Sequence, residues 1–164
     1  MGLDMYLEAR KYVAKIDWSS VPEGSRSYSS YTTPEYSAIV STLPEGIDEF
    51  GDVSGAQVSV TIGYWRKANA IHNWFVEKCA GGEDKCQDIY VYQDKLIELS
   101  ALVNEVLENP EKGKELLPTA SGFFFGSTEY DEWYIRDLER TKSILDKALA
   151  LDDGEFDIVY RASW

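Results

Sequence analysis

The chain is poor in several residue types, and each shortage narrows what it can be. Lys and Arg number 16 against 29 Asp and Glu, a net charge of −13 over 164 residues. General duplex DNA or RNA binding needs Lys and Arg clustered against phosphates, so that class is excluded. No apolar run approaches the roughly 20 residues that cross a bilayer, which argues against a membrane partner. The start, MGLDMYLEARKYV, has no apolar core or small-residue cleavage site, and Tyr6 stands where a myristoylation motif wants Ser or Thr. The expected location is the cytoplasm, with the two cysteines, Cys79 and Cys86, reduced. There is a single histidine, His72. No G-x-S-x-G elbow, HExxH, GK[ST] or catalytic Cys–His signature appears.

What is present is apolar and aromatic: 44% hydrophobic and 13% aromatic, with 11 Tyr and 5 Trp. That is too much for a disordered chain, and the length suits one domain with a real core. Leu3, Met5 and Leu7 alternate with polar neighbours, which predicts a first strand running into Tyr12–Val13. Residues 19–56, with SSVPEGSRSYSSYTTPEYS and LPEGIDEFGDVSG, read as a long loop excursion carrying a short helix near Tyr36–Val40. QVSVTIGYW, 57–65, predicts a strand with Val58, Val60 and Ile62 on one face. A helix is expected from Arg66 to Ala80, with Ala68, Ile71, Phe75, Val76 and Cys79 inward and Gly81–Gly82 ending it. A short strand Asp88–Tyr92 follows. A second helix covers about 93–108, with Leu96, Leu99, Val103 and Val106 inward, and ENPEKG turns the chain. A strand centred on Phe123–Phe125 precedes a third helix, capped by Ser127 or Thr128. That helix carries Tyr134, Leu138, Thr141, Leu145 and Ala148 on one face and ends at Asp152-Asp153-Gly154. FDIVYRASW is the last strand. The expected fold is α+β in a single domain: a mixed, mostly antiparallel sheet of about five strands with three helices packed on it.

Two stretches carry the candidate chemistry. In GYWRKANAIHNWF, 63–75, Arg66 and Lys67 fall on the first turn of the expected helix, where the macrodipole disfavours cations. An anion held by both side chains and the free N–H groups would explain them; so would an ion pair with Glu129 or Asp131. Tyr64 and Trp65 could stack on a planar ring, and Asn69 and Asn73, four apart, could read a base or ribose. His72 lies at the edge of the apolar stripe. It is either a hydrogen-bonded core residue or an acid/base and ligand-contacting group. The even spacing of His72, Cys79 and Cys86 fits no standard zinc pattern, and no metal or cofactor is expected. In SGFFFGSTEYDEWY, 121–134, Gly126, Ser127 and Thr128 before a helix start resemble a phosphate cradle, but Glu129, Asp131 and Glu132 would repel a phosphate. A helix cap is the ordinary explanation. Joined across one cleft, these acids would face Arg66 and Lys67. Glu129 or Asp131 would bind ribose or orient His72, with Tyr130 or Trp133 stacking.

MGLDMYL, YWRKANAIHNWF and LLPTASGFFFGSTEYDEWY, in that order, resemble a family of small uncharacterised proteins carried by bacteriophages and prophages. The resemblance touches most of the chain outside 19–56 and implies no activity or site residue. It implies a setting, the host cytoplasm, in which nucleotide handling and counter-defence are common roles. Three functions remain open. The leading one is a binder that sequesters a small anionic, nucleotide-like ligand. The second is a phosphodiesterase or transferase using His72 with Glu129 or Asp131. The third is an acidic inhibitor of a host protein. Homo-oligomerisation is open.

Overall fold

The computed structural model describes residues 2–44, 54–122, 124–151 and 154–164. It is an α+β fold built on one antiparallel sheet of strands β1 (Asp4–Ala14), β2 (Gly55–Arg66), β3 (Ile89–Tyr90) and β4 (Asp157–Ser163), in the order β2-β1-β4-β3. The first and last strands are central and antiparallel, with Asp4 opposite Ser163 and Arg10 opposite Asp157. The helices are α1 (Pro34–Val40), α2 (Asn69–Cys79), α3 (Gln93–Glu108), α4 (Gly113–Leu116) and α5 (Glu132–Leu149).

The chain divides into two compact units. One is Lys11–Ser59; the other joins residues up to Arg10 with Val60–Trp164. In Lys11–Ser59, the expected excursion is organised by its own polar contacts. Thr33 caps α1 and donates its hydroxyl to the Ala14 carbonyl at 2.6 Å, while Ile16 bridges Thr32. Tyr36 is buried in this unit, with the Lys15 ammonium over its ring. The stretch 45–53, part of LPEGIDEFGDVSG, lies outside the described residues.

The larger unit holds the main core. Leu3, just before β1, and Met5, Leu7 and Ala9 within it are buried at period two, as the alternation predicts. They cluster with Ile158, Tyr160 and Ala162 of β4, Ile71 and Phe75 of α2, the four inward residues of α3, and Leu138 and Leu145 of α5. All five residues expected on one face of α5 are buried. In β2 the buried positions are Gly63 and Trp65, whereas Val58 and Val60 are exposed, so the stripe of opposite parity meets the core.

Several expectations need correction. The described strands number four rather than about five, and the described α-helices five rather than three. Phe124 and Phe125 lie in a turn closed by the Phe125 N–H on the Gly122 carbonyl at 3.2 Å; Phe123 lies outside the described residues. Flanking glycines at 122 and 126, the latter at φ +87°, break the strand that a bare apolar run suggested. ENPEKG folds into a 3₁₀ turn, Pro110–Lys112, leading into α4. The cap of α5 is Asp131, whose carboxylate accepts the Trp133 and Tyr134 N–H groups; Ser127 and Thr128 precede it. The expected stop at Asp152-Asp153 lies outside the described residues.

Gly63 marks a close approach of β2 to α5. A Cβ there would lie 2.3 Å from Ile144 Cγ2, a branched atom with little freedom to retreat. Gly63→Ala is expected to lower unfolding free energy by roughly 1–3 kcal/mol in denaturant titration. Gly63→Ala combined with Ile144→Ala should be less destabilised than the sum of the two changes.

Candidate functional site

The candidate site lies in the larger unit, where β2 gives way to α2. Trp65 anchors the strand end. Its ring is fully buried, edge-on to Phe75 at 6.3 Å, and its Nε1–H donates to Thr141 Oγ1 at 2.8 Å. Arg66 is therefore the last strand residue and faces out of the core. Lys67 takes φ +64°, a left-handed conformation that non-glycine residues adopt at a cost, and its N–H bonds the Leu3 carbonyl at 2.8 Å. At Ala68, φ −74° and ψ 69° make an inverse γ-turn, closed by the Asn69 N–H on the Lys67 carbonyl. The helix begins only at Asn69. Placing Arg66 and Lys67 on its first turn was wrong, because turning from strand to helix takes these two residues.

A cleft of about 250 Å³ opens at this junction. One wall is Arg66, Lys67 and the Ala68–Ile71 turn; the other brings Thr119, Gly126, Ser127, Glu129 and Asp131 together with Trp133, Tyr134, Asp137 and Leu138 of α5. Of the residues proposed from sequence, Arg66, Lys67, Asn69, Ser127, Glu129, Asp131 and Trp133 share it. Among the described residues neither Arg66 nor Lys67 forms an ion pair, although three acids line the same cleft. The α2 start has no side-chain cap and no acid in its first turn, unlike α5. Such a start leaves N–H groups and partial positive charge beside the two cations.

The remaining proposed residues lie outside the cleft lining. Trp65 is core. Tyr64 donates its hydroxyl to Asp4 and tilts against Tyr6. Asn73 and Thr128 are not in the cleft lining, and the Thr128 carbonyl accepts from Thr119. The Tyr130 hydroxyl accepts the Thr119 N–H at 3.1 Å, and its ring packs edge-on to Tyr134. Ser127, which does line the cleft, uses its Oγ to accept the Glu129 N–H in a local turn. Cys79 is a half-buried thiol pushed up to about 11 by burial.

His72 is in the core, 2% exposed, and is absent from the cleft lining. Its Nδ1 lies 2.7 Å from the Tyr160 hydroxyl and its Nε2 3.0 Å from Asp84, which also accepts from Trp164 Nε1 at 3.3 Å. Its partners are thus Asp84 and Tyr160, not Glu129 or Asp131. A carboxylate only accepts, so Nε2 carries a proton; in the neutral ring Nδ1 then accepts from Tyr160. Burial holds the Tyr160 phenol well above its ordinary pKa and so protonated.

Sequence reasoning missed Asp84 and Tyr160, which no spacing ties to His72, and Asp137. The last was findable, since it lies four residues after Trp133 on the same helix face. Asn69 is also different from expectation. It is buried, and its amide donates to the Phe125 and Ser127 carbonyls at 3.0 and 2.8 Å while accepting the Ala120 N–H at 3.2 Å. It fastens the far wall of the cleft to α2 rather than reading a ligand. Comparison with known families, with curated proteins and with solved structures finds no match to this chain.

Asn69→Ala should leave those groups unpaired, lowering stability by roughly 1–3 kcal/mol. Hydrogen exchange should show faster exchange at Ala120 and its neighbours than at amides of β1 and β4.

Asp137 gives a prediction of its own. Burial pushes its carboxyl up from 3.8 to about 6, with Asp131 adding and Arg140 opposing. A folded pKa above the unfolded one means the native state binds this proton more tightly. Stability is therefore lost as pH rises from about 4 through about 6. Asp137→Asn is expected to be more stable than the parent at pH 7–8, by about 1–2 kcal/mol after allowing for partial exposure, with the gap closing below pH 4. Thermal melts across that pH range measure it.

Proposed function

We propose that the cleft binds a small anionic, nucleotide-like ligand and that the protein sequesters it rather than converting it. The observation that carries this reading is the pair Arg66 and Lys67. Both line the cleft without an ion-pair partner among the described residues, in a chain of charge −13 that has acids on the opposite wall. Cations left unpaired beside an uncapped helix start are the ordinary receptor for a phosphate or carboxylate. A volume of about 250 Å³, just under the usual small-ligand range, suits a small molecule rather than a peptide. Trp133, 63% exposed on the α5 side, offers a ring for a base. Glu129 on the same wall suits ribose hydroxyls.

The resemblance to phage proteins gives the reading a setting: in the host cytoplasm, sequestering a signalling nucleotide would be a counter-defence activity. The enzymatic alternative has less support. Its acid/base group, His72, is enclosed by Tyr160, Phe125 and Asp84 away from the cleft.

A panel of mononucleotides and signalling nucleotides tests the proposal by thermal shift and calorimetry. A ligand at 100 times its Kd stabilises the native state by about 2.7 kcal/mol. Arg66→Ala and Lys67→Ala should each weaken binding about tenfold or more, as expected for a lost charge-assisted hydrogen bond. Mass spectrometry after denaturation should return the ligand intact. No stabilisation by any nucleotide, or affinity unmoved by both substitutions, overturns the reading; a converted ligand replaces sequestration with catalysis.

A further inference from the structure

The cleft lining carries two chemically different sets of groups. Arg66 and Lys67 are one. The other is Asp137 of α5, on the same helix as Trp133, Tyr134 and Leu138, with Ala68, Ala70 and Ile71 lining the space as well. The charges that act on Asp137 are Arg140, which lowers its pKa, and Asp131, which raises it.

Asp137 also differs from the other two lining acids. Asp131 is committed to capping α5 through two N–H groups. Glu129 is exposed to water. Asp137 is half-buried, and among the described residues no hydrogen bond or ion pair reaches its carboxylate; only its backbone carbonyl is engaged, by Thr141. A carboxylate partly removed from water without donors is unfavourable, and a ligand bringing donors relieves it. An ionised carboxylate offers acceptors only, in a planar pair suited to two parallel N–H groups.

We propose that the ligand is a guanine nucleotide, its base held at N1–H and the 2-amino group by Asp137 and its phosphate by Arg66 and Lys67. The inference rests on the nucleotide reading above and narrows it. Among the common bases only guanine presents two adjacent N–H donors on its pairing edge. Adenine and cytosine present one donor beside an acceptor, and uracil one donor between two acceptors. Against the ionised carboxylate each of these leaves at least one acceptor facing an acceptor. Trp133, at the same end of α5, lies one helical turn before Asp137 and supplies the stacking ring.

The pH dependence has a definite sign. The titratable groups lining the cleft besides Asp137 are Asp131 and Tyr134 from the α5 region, Glu129 from the preceding loop, and Arg66 and Lys67 from the β2–α2 junction; Arg140, outside the lining, also acts on Asp137. Asp137, raised to about 6, takes up its proton below that pH and loses the double acceptor. A protonated carboxyl can donate to adenine N1 and accept from its amino group, so it no longer favours guanine. The phosphate titrates in the same range, but equally in GMP and AMP, and cancels in their affinity ratio.

Calorimetry of the full chain with GMP, IMP and AMP at pH 7.5 and pH 5 tests the inference. GMP is expected to bind at least tenfold tighter than AMP at pH 7.5, with IMP between them, and the ratio should fall toward one at pH 5. Asp137→Asn loses no protein partner and should fold; its amide offers a donor and an acceptor, as a protonated carboxyl does, so it should abolish the GMP preference. Equal binding of GMP and AMP at pH 7.5, or a preference that survives Asp137→Asn, overturns the guanine assignment and leaves the nucleotide reading standing. Binding of none of the three, nor of the wider nucleotide panel, overturns both.

Discussion

Trp65 is the residue on which the geometry of this protein turns. Its ring is buried between α2 and β4, edge-on to Phe75 and tilted to Tyr160, and its indole N–H is satisfied by Thr141 of α5. An aromatic of this size buries enough apolar surface to set the register of its strand. Once Trp65 points inward, Arg66 must point outward, because successive strand side chains alternate. The chain must then reverse within two residues to begin α2 with Ile71 and Phe75 also inward. The left-handed Lys67 and the γ-turn at Ala68 are the consequence. Two cations are thereby fixed at the mouth of a cleft by a packing decision made in the core.

The opposite wall is held by a similar economy of contacts. One buried amide, Asn69, ties together the Ala120 N–H and the Phe125 and Ser127 carbonyls. Three backbone groups of an irregular segment are satisfied by a single side chain on the first turn of α2, as a loop packed on the core requires. Gly126 contributes by lacking a Cβ, which would sit 3.2 Å from the Lys67 Cβ. The 119–131 segment thus rests on Lys67 and Asn69, so both walls of the cleft derive from the same short stretch, Arg66–Asn69.

Much of the fold was legible because its signals are strong and local. The alternation Leu3, Met5, Leu7 and the 3–4 spacing of Leu96, Leu99, Val103 and Val106 each admit one reading, and both occur as read. Elements failed where pattern underdetermines structure. The phenylalanine run at 123–125 is apolar without period, and glycines on each side bend Phe124 and Phe125 into a turn. The start of α2 was misplaced because the helical spacing of its apolar residues extends back through Ala68, while the backbone that breaks it, at Lys67, carries no glycine or proline to announce it. The cap of α5 falls one turn later than expected for a different reason: Ser127, Thr128 and Asp131 are all good cap residues, and the sequence does not choose among them.

The polar residues divide by whether the fold itself satisfies them. His72, the obvious candidate by residue type, has both ring nitrogens occupied by Tyr160 and Asp84. Asn69, Thr141 and Asp131 are likewise engaged by backbone or side-chain partners. Arg66, Lys67 and Asp137 line the same cavity and have no hydrogen-bonded or ion-paired side-chain partner among the described residues. Residue type drew attention to His72, yet a histidine can complete a core as well as a site. Arg66 and Lys67 remain exposed to water, whereas Asp137 is half-buried, and a charge partly desolvated without partners opposes folding. Burial raises the Asp137 carboxyl, the direction that desolvation without partners gives. A cavity that collects such groups, above an otherwise well-satisfied core, has the features of a surface shaped for something other than the chain's own stability.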